Sequence, residues 1–137
     1  MPAPADVLDV DQGYLPGVKV LERVRRQRHR DGRVRFFRTI KLGVGVERIE
    51  MEDETDERLF EHLWALTDGR RVRKRRYLVP HGGATWEIDE FTDRALVLAE
   101  LELDRADAPV AFPDWLTPAL VREVTDEPEY TNRSLAR

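Results

Sequence analysis

Apolar and charged residues trade places along much of the chain with a period of two. In Val20-Leu21-Glu22-Arg23-Val24-Arg25-Arg26, in Arg35-Phe36-Phe37-Arg38-Thr39-Ile40-Lys41 and in Glu47-Arg48-Ile49-Glu50-Met51-Glu52, apolar positions tend to alternate with charged ones. Strands with two unlike faces have this signature. The pattern returns in Val72-Arg73-Lys74-Arg75-Arg76-Tyr77-Leu78-Val79, in Thr85-Trp86-Glu87-Ile88-Asp89-Glu90-Phe91 and in Leu98-Ala99-Glu100-Leu101-Glu102-Leu103. These segments predict six strands, with a seventh around Val7 to Leu15. Asp31-Gly32, Gly43-Val44-Gly45 and His81-Gly82-Gly83 supply glycine where tight hairpins need positive φ, so an antiparallel meander is expected. One helix is predicted from about Thr55 to Thr67, with Phe60, Leu63, Trp64 and Thr67 on one face and Asp68-Gly69 as its stop. Beyond Leu103 the expectation is a short polar helix near Asp107, a proline-anchored segment Phe112-Pro113-Asp114-Trp115-Leu116, and a terminal helix from about Thr131 to Ala136. No repeat or linker divides the 137 residues, so a single domain over 1–137 is expected. The predicted class is α+β, mainly antiparallel β.

Strand parity then assigns faces, because residues two apart share a side of the sheet. Arg23 with Arg25, Thr39 with Lys41, Arg48 with Glu50 and Glu52, Lys74 with Arg76, Glu87 with Asp89, and Glu100 with Glu102 are each same-face sets. Val24, Ile40, Ile49, Met51, Trp86, Ile88, Leu101 and Leu103 fall on the other face, which helices should cover. A solvated charged face with weak surface ion pairs would explain one such strand. Recurrence in six strands, basic early and acidic in the last two, points instead to a closed or partly open β-barrel with a charged lumen and its helices packed outside.

Composition narrows the chemistry that such a lumen serves. Charged residues make up 36% of the chain, against about 25% in an ordinary domain, yet 23 basic and 27 acidic side chains leave a formal charge of only −4. Arginines from Arg23 to Arg38, with Phe36 and Phe37 among them, resemble a nucleic-acid patch, but the overall basic charge of such binders is missing. Cysteine is absent, which excludes disulfides, thiolate metal sites and a cysteine nucleophile. His29 and His81 fall at predicted turns and His62 on the helix, without ligand spacing, and are expected at the surface. No apolar run approaches the ~20 residues of a membrane span, and Met1 to Asp6 lacks the features of a secretory signal, so a cytoplasmic protein without membrane contact is expected. Arginine forks and lysine charges suit the oxygens of a polyphosphate. Carboxylates suit Mg²⁺ or Mn²⁺, which bridge to phosphate.

The ordered motifs Gln12-Gly13-Tyr14-Leu15, Arg23-Val24-Arg25, Thr39-Ile40-Lys41, Arg48-Ile49-Glu50-Met51-Glu52, Gly69 to Tyr77, Trp86-Glu87-Ile88-Asp89 and Glu100-Leu101-Glu102 are followed by Val124-Thr125, Tyr130, Asn132 and Leu135. Together they resemble the CYTH family, the triphosphate tunnel metalloenzymes, in its small bacterial form. That resemblance covers nearly all of the chain from Gln12 to Ala136. It implies a divalent-metal-dependent hydrolase acting on inorganic tripolyphosphate or a related triphosphate. It equally admits a non-catalytic triphosphate- or polyphosphate-binding module, or an adenylate cyclase-type activity on ATP. By the same resemblance Arg23, Arg25, Lys41, Arg48, Lys74 and Arg76 would contact phosphate. Glu50, Glu52, Asp89, Glu100 and Glu102 would bind Mg²⁺ or Mn²⁺, with Glu100, Glu102 and Asp89 also catalytic. The implied partner is a triphosphate-bearing small molecule, and a homodimer is left open. The family's first strand reads E-x-E-x-K, and no such segment precedes Gln12, so a domain without that strand and with one unpaired sheet edge is expected. Asp9 and Asp11 share a face, but they lie in the strand leading into Gln12-Gly13-Tyr14.

Overall fold

The alternating segments all form strands: β1 (Asp6–Tyr14), β2 (Val20–His29), β3 (Val34–Leu42), β4 (Ile49–Thr55), β5 (Arg71–His81), β6 (Ala84–Phe91) and β7 (Val97–Leu101). Helix α1 (Glu57–Trp64) follows β4, and a short helix α2 (Asn132–Leu135) lies near the C-terminus. The structure, a computed structural model, describes residues 2–17, 20–42, 49–101, 112–119, 124 and 127–136. The turn at Gly43 to Gly45, Arg48, Glu102, Leu103 and the helix expected near Asp107 lie outside the described residues. No helix among the described residues is long and apolar enough to cross a membrane.

The strands form one sheet in the order β4-β3-β2-β1-β5-β6-β7, and every neighbouring pair is antiparallel. Glycine sets one of its turns tightly. His81 pairs with Ala84, and Gly82 and Gly83 between them take φ of 59° and 80°, the conformation of a two-residue hairpin loop. β1 lies at the centre, flanked by β2 and β5. β4 and β7 are the edges, and no pairing joins them among the described residues. Of the closed or partly open barrel expected from the sequence, the closed form is not seen: among the described residues the sheet is open.

Each face is covered in part. On the outer face α1 lies over β2 and β3, with Phe60 fully buried, 5.2 Å from the Phe36 ring and 5.4 Å from that of Trp64. The helix starts later than predicted because β4 continues to Thr55 and Asp56 takes the cap, its carboxylate accepting from the Leu59 amide at 2.8 Å. The chain after α1 presses on β1. A Cβ at Gly13 would come within 2.6 Å of the Thr67 hydroxyl and 2.9 Å of the Trp64 ring. Farther along the outer face, Val79, Trp86 and Ile88 pack under Leu116 and Trp115 of the proline-anchored segment. Ile49 and Met51 lie on the outer face, as parity predicts, but remain exposed on the edge strand. The inner face has a core of its own. Val72 and Phe91 bury Ala136, with Tyr14, Leu96, Leu98 and Leu135 around them. The expectation that the helices all pack outside is thus corrected for α2, which sits on the charged face. Thr131 caps it by accepting from the Ser134 amide.

Candidate functional site

The register turns the inner face into rows of side chains. One row runs Glu52, Thr39, Arg23, Tyr14 and the next runs Glu54, Phe37, Arg25, Gln12, Val72. The following rows run Arg35, Gln27, Val10, Lys74, Phe91 and then His29, Leu8, Arg76, Asp89, Leu98. Four of the phosphate-contact candidates therefore lie on the two strands beside β1: Arg23 and Arg25 on β2, Lys74 and Arg76 on β5. Across one intervening strand, β2 and β5 are about 10 Å apart. Lys41 pairs with Glu50 at the β4 margin.

Burial and neighbouring charge shape these cations. Arg76 forks onto Asp89, with Nε and Nη2 donating to the two carboxylate oxygens at 2.8 and 2.9 Å, and its Nη1 lies 3.0 Å from Glu87. Lys74 Nζ stands 2.9 Å from Asp89 and donates to Asn132 Oδ1 at 3.1 Å. Burial and the adjacent Arg76 push the Lys74 ammonium down to about 8, because Asp89 offsets only part of those two effects. Burial, then Arg23 and Arg76, lower the Arg25 guanidinium to about 10. Asp89 moves the other way. Burial alone would raise its carboxyl, but the Arg76 hydrogen bonds and the Lys74 charge hold it below the ordinary carboxylate value. Arg76 is raised in turn: burial would lower it, but the Asp89 hydrogen bonds together with the charges of Asp89, Glu87 and Glu100 outweigh that. Arg25 has no carboxylate within ion-pairing distance among the described residues, and the Nε of Arg23 is buried without an acceptor. Among the described residues, the buried Lys74 and Arg76 and the half-buried Arg23 and Arg25 thus meet between them Asp89, Glu87 and, at 3.8 Å, Glu52.

The candidate metal ligands divide between the two margins. Glu50 and Glu52 are exposed on β4, where Glu52 accepts from the Thr39 hydroxyl at 3.0 Å and lies 3.8 Å from Arg23. Glu100 lies on β7 directly opposite Glu87. Asp89 is next along β6, with both oxygens engaged by Lys74 and Arg76. Among the described residues no three acidic or histidine side chains gather as a metal cluster. Asp9 and Asp11 point to the outer face, where Asp9 pairs with Arg75 at 2.9 Å and Asp11 with Arg26 at 2.7 Å.

Sequence reasoning passed over several inner-face groups. Gln12 is completely buried and Asn132 reaches the site from α2. Both stood in recognised motifs, and a polar residue at an inward position beside Val10 was the available signal for Gln12. His29 is a correction: its side chain is nine-tenths buried, with Nδ1 2.9 Å from Asp6 Oδ2. The alternation from Val20 to Arg26 stops short of it; carried to His29, where β2 ends, the parity gives the inner face.

Fold and site together define an antiparallel β-sheet protein that concentrates buried cations on one face, between margins of carboxylates. No family model matches the chain. It is 38% identical over 133 residues to the inorganic triphosphatase of Nitrosomonas europaea, an alignment spanning 91% of this chain and 82% of that protein. It is 37% identical over 114 residues to the inorganic triphosphatase of Acetivibrio thermocellus, spanning 77% and 70%. Among solved structures, the crystal structure of the inorganic triphosphatase NE1496 superposes with a TM-score of 0.64 at 29% identity, covering 99% of this chain and 87% of that one. The chain belongs to the inorganic triphosphatases of the CYTH, or triphosphate tunnel, family.

Proposed function

We propose that the inner face binds inorganic tripolyphosphate and hydrolyses it to diphosphate and orthophosphate. The observation that carries this reading is the set of buried and half-buried cations that outnumber their carboxylate partners among the described residues: Arg23 and Arg25 facing Lys74 and Arg76 across β1. A polyanion between the two strands supplies the missing counter-charge at several points, as arginine forks and an ammonium favour. Lys41 would extend the basic lining toward the β4 side, and Arg48, outside the described residues, is assigned to phosphate by the family resemblance alone. Asp89 holds Lys74 and Arg76 in place, and direct metal ligation by it would require exchange of one of those partners.

The reaction adds water to a terminal phosphorus and breaks the bridging P–O bond. Negative charge grows on the departing diphosphate, and Arg25, Lys74 and Arg76 would stabilise it. Glu87 and Glu100, set opposite one another, are oxygen donors of the kind Mg²⁺ or Mn²⁺ prefers, and a cation relieves their mutual repulsion. We assign them the ion together with Glu102, and give Glu50 and Glu52 a second carboxylate position at the other margin. When bound, the ion would screen the phosphates and acidify water.

The test is phosphate release from tripolyphosphate with Mg²⁺ or Mn²⁺, compared with a variant carrying Glu100→Gln and Glu102→Gln. The expected result is turnover in the native chain and its loss in the variant. Equal, background release from both would overturn hydrolysis. Stabilisation by tripolyphosphate without release would leave the chain a binding module, and cyclic AMP formed from ATP would identify a cyclase.

A further inference from the structure

Two of the cations are held by amides where carboxylates would be the stronger partners. Arg25 Nε donates to Gln12 Oε1 at 2.9 Å, and Gln12 Nε2 donates to the Tyr14 hydroxyl at 2.7 Å. Arginine only donates, so the amide must turn its oxygen to Arg25 and its nitrogen to Tyr14. Gln12 is fully buried at the centre of the sheet, and these bonds fix its orientation. The second amide is Asn132, whose Oδ1 accepts from Lys74 Nζ at 3.1 Å while Asp89 takes a second ammonium proton. Asn132 is placed by α2, through the Thr131 cap and the packing of Ala136 on Val72 and Phe91. An ammonium has three protons, so these contacts leave one, on a side chain that is fully buried in this structure. The Nη groups of Arg25 are left for a ligand.

We propose that Gln12 is a positioning residue that orients Arg25 through an uncharged acceptor, so that this cation is fixed without being neutralised, and that Asn132 gives Lys74 an uncharged second acceptor beside Asp89, so that Lys74 is oriented without a second counter-charge. The proposal rests on the reading of this face as a polyphosphate site. A carboxylate at either position would form a buried ion pair, and an incoming phosphate would have to displace it. The lowered Arg25 guanidinium fits this picture: burial and the neighbouring Arg23 and Arg76 lower it, and no ion pair offsets them among the described residues.

The charge argument separates from a structural one by comparing Gln12→Glu with Gln12→Met, in titrations with tripolyphosphate followed by calorimetry and by Mg²⁺-dependent release. Gln12→Glu should weaken binding at least tenfold, chiefly in Kd and KM with a smaller change in kcat. Affinity should recover as pH falls and the buried glutamate takes a proton. Gln12→Met loses the hydrogen bonds but adds no charge, and should weaken binding less, with no recovery at low pH. Asn132→Asp should act in the same direction through Lys74, and decides the matter if the Gln12 variants do not fold. Equal losses in the Glu and Met variants, or native affinity in Gln12→Glu or in Asn132→Asp, would overturn the proposal. Failure of the native chain to bind tripolyphosphate would instead overturn the reading of the site itself.

Discussion

Lys74 lies between Asp89, Asn132 and the charge of Arg76, and its ammonium is held at about 8 against an ordinary 10.5. Between those values the unfolded chain keeps a proton that the folded chain has released. From this group alone, stability therefore rises as pH climbs from about 8 to about 10.5. Ligand binding has the opposite sign, because phosphate oxygens favour the charged form. Tripolyphosphate affinity should fall as pH rises above about 8, approaching a tenfold loss per unit from this group. Lys74→Arg should flatten that limb, as calorimetric titrations from neutral to alkaline pH would register. Asp89 carries the complementary prediction. Its removal leaves Lys74 and Arg76 buried without their shared counter-charge, so Asp89→Ala should cost about 3–5 kcal/mol in urea unfolding. Inward-pointing charges such as these were legible in the sequence, because parity needs only a strand and a count of two. That Asp89 faces two cations was not, because partners across strands depend on register, which a single strand does not encode.

At the scale of elements, α1 was legible through the spacing of Phe60, Leu63 and Trp64. Its first residue was missed because Thr55 serves β4, paired with Phe36, before Asp56 caps the helix. The helix owes its place to one ring more than to its cap. Phe60 is fully buried against Phe36 and Trp64, and the Arg26 guanidinium stands 5.4 Å from its centre. Phe60→Ala should therefore destabilise by about 3–5 kcal/mol, and Asp56→Ala by only about 1 kcal/mol. Chemical denaturation of the two variants checks the order, and a larger loss at Asp56 would contradict it. The terminal helix was expected, but not its side of the sheet. Four residues with one turn of helix carry too little periodicity to announce a face. Ala136, Leu135 and the Asn132 amide decide it only once Val72, Phe91 and Lys74 have been brought together from distant parts of the chain.

The whole molecule separates charge by strand order. Basic side chains of β2 and β5 flank the uncharged inner positions Leu8, Val10, Gln12 and Tyr14 of β1, and carboxylates stand on β4 at one margin and on β6 and β7 at the other. The sequence reads basic first and acidic last, but β5 pairs with β1 and not with β4. That crossover brings Lys74 and Arg76 beside the early arginines, and no local pattern foretells it. The cost of the arrangement is repulsion among buried cations, so a bound polyanion should stabilise the fold by more than its contacts with surface charge would suggest. Tripolyphosphate at a hundred times its Kd should add about 2.7 kcal/mol to unfolding, visible as a rise in Tm. Salt distinguishes this site from an exposed basic patch. Screening at high ionic strength acts on groups open to solvent much more than on buried pairs. The Tm increment at saturating tripolyphosphate should thus survive in part at about 1 M salt, where the Debye length falls to about 3 Å, and should vanish in an Arg25→Ala, Lys74→Met double variant. If sulfate gives the same increment, or the double variant keeps it, the buried cations are not the groups that the anion meets.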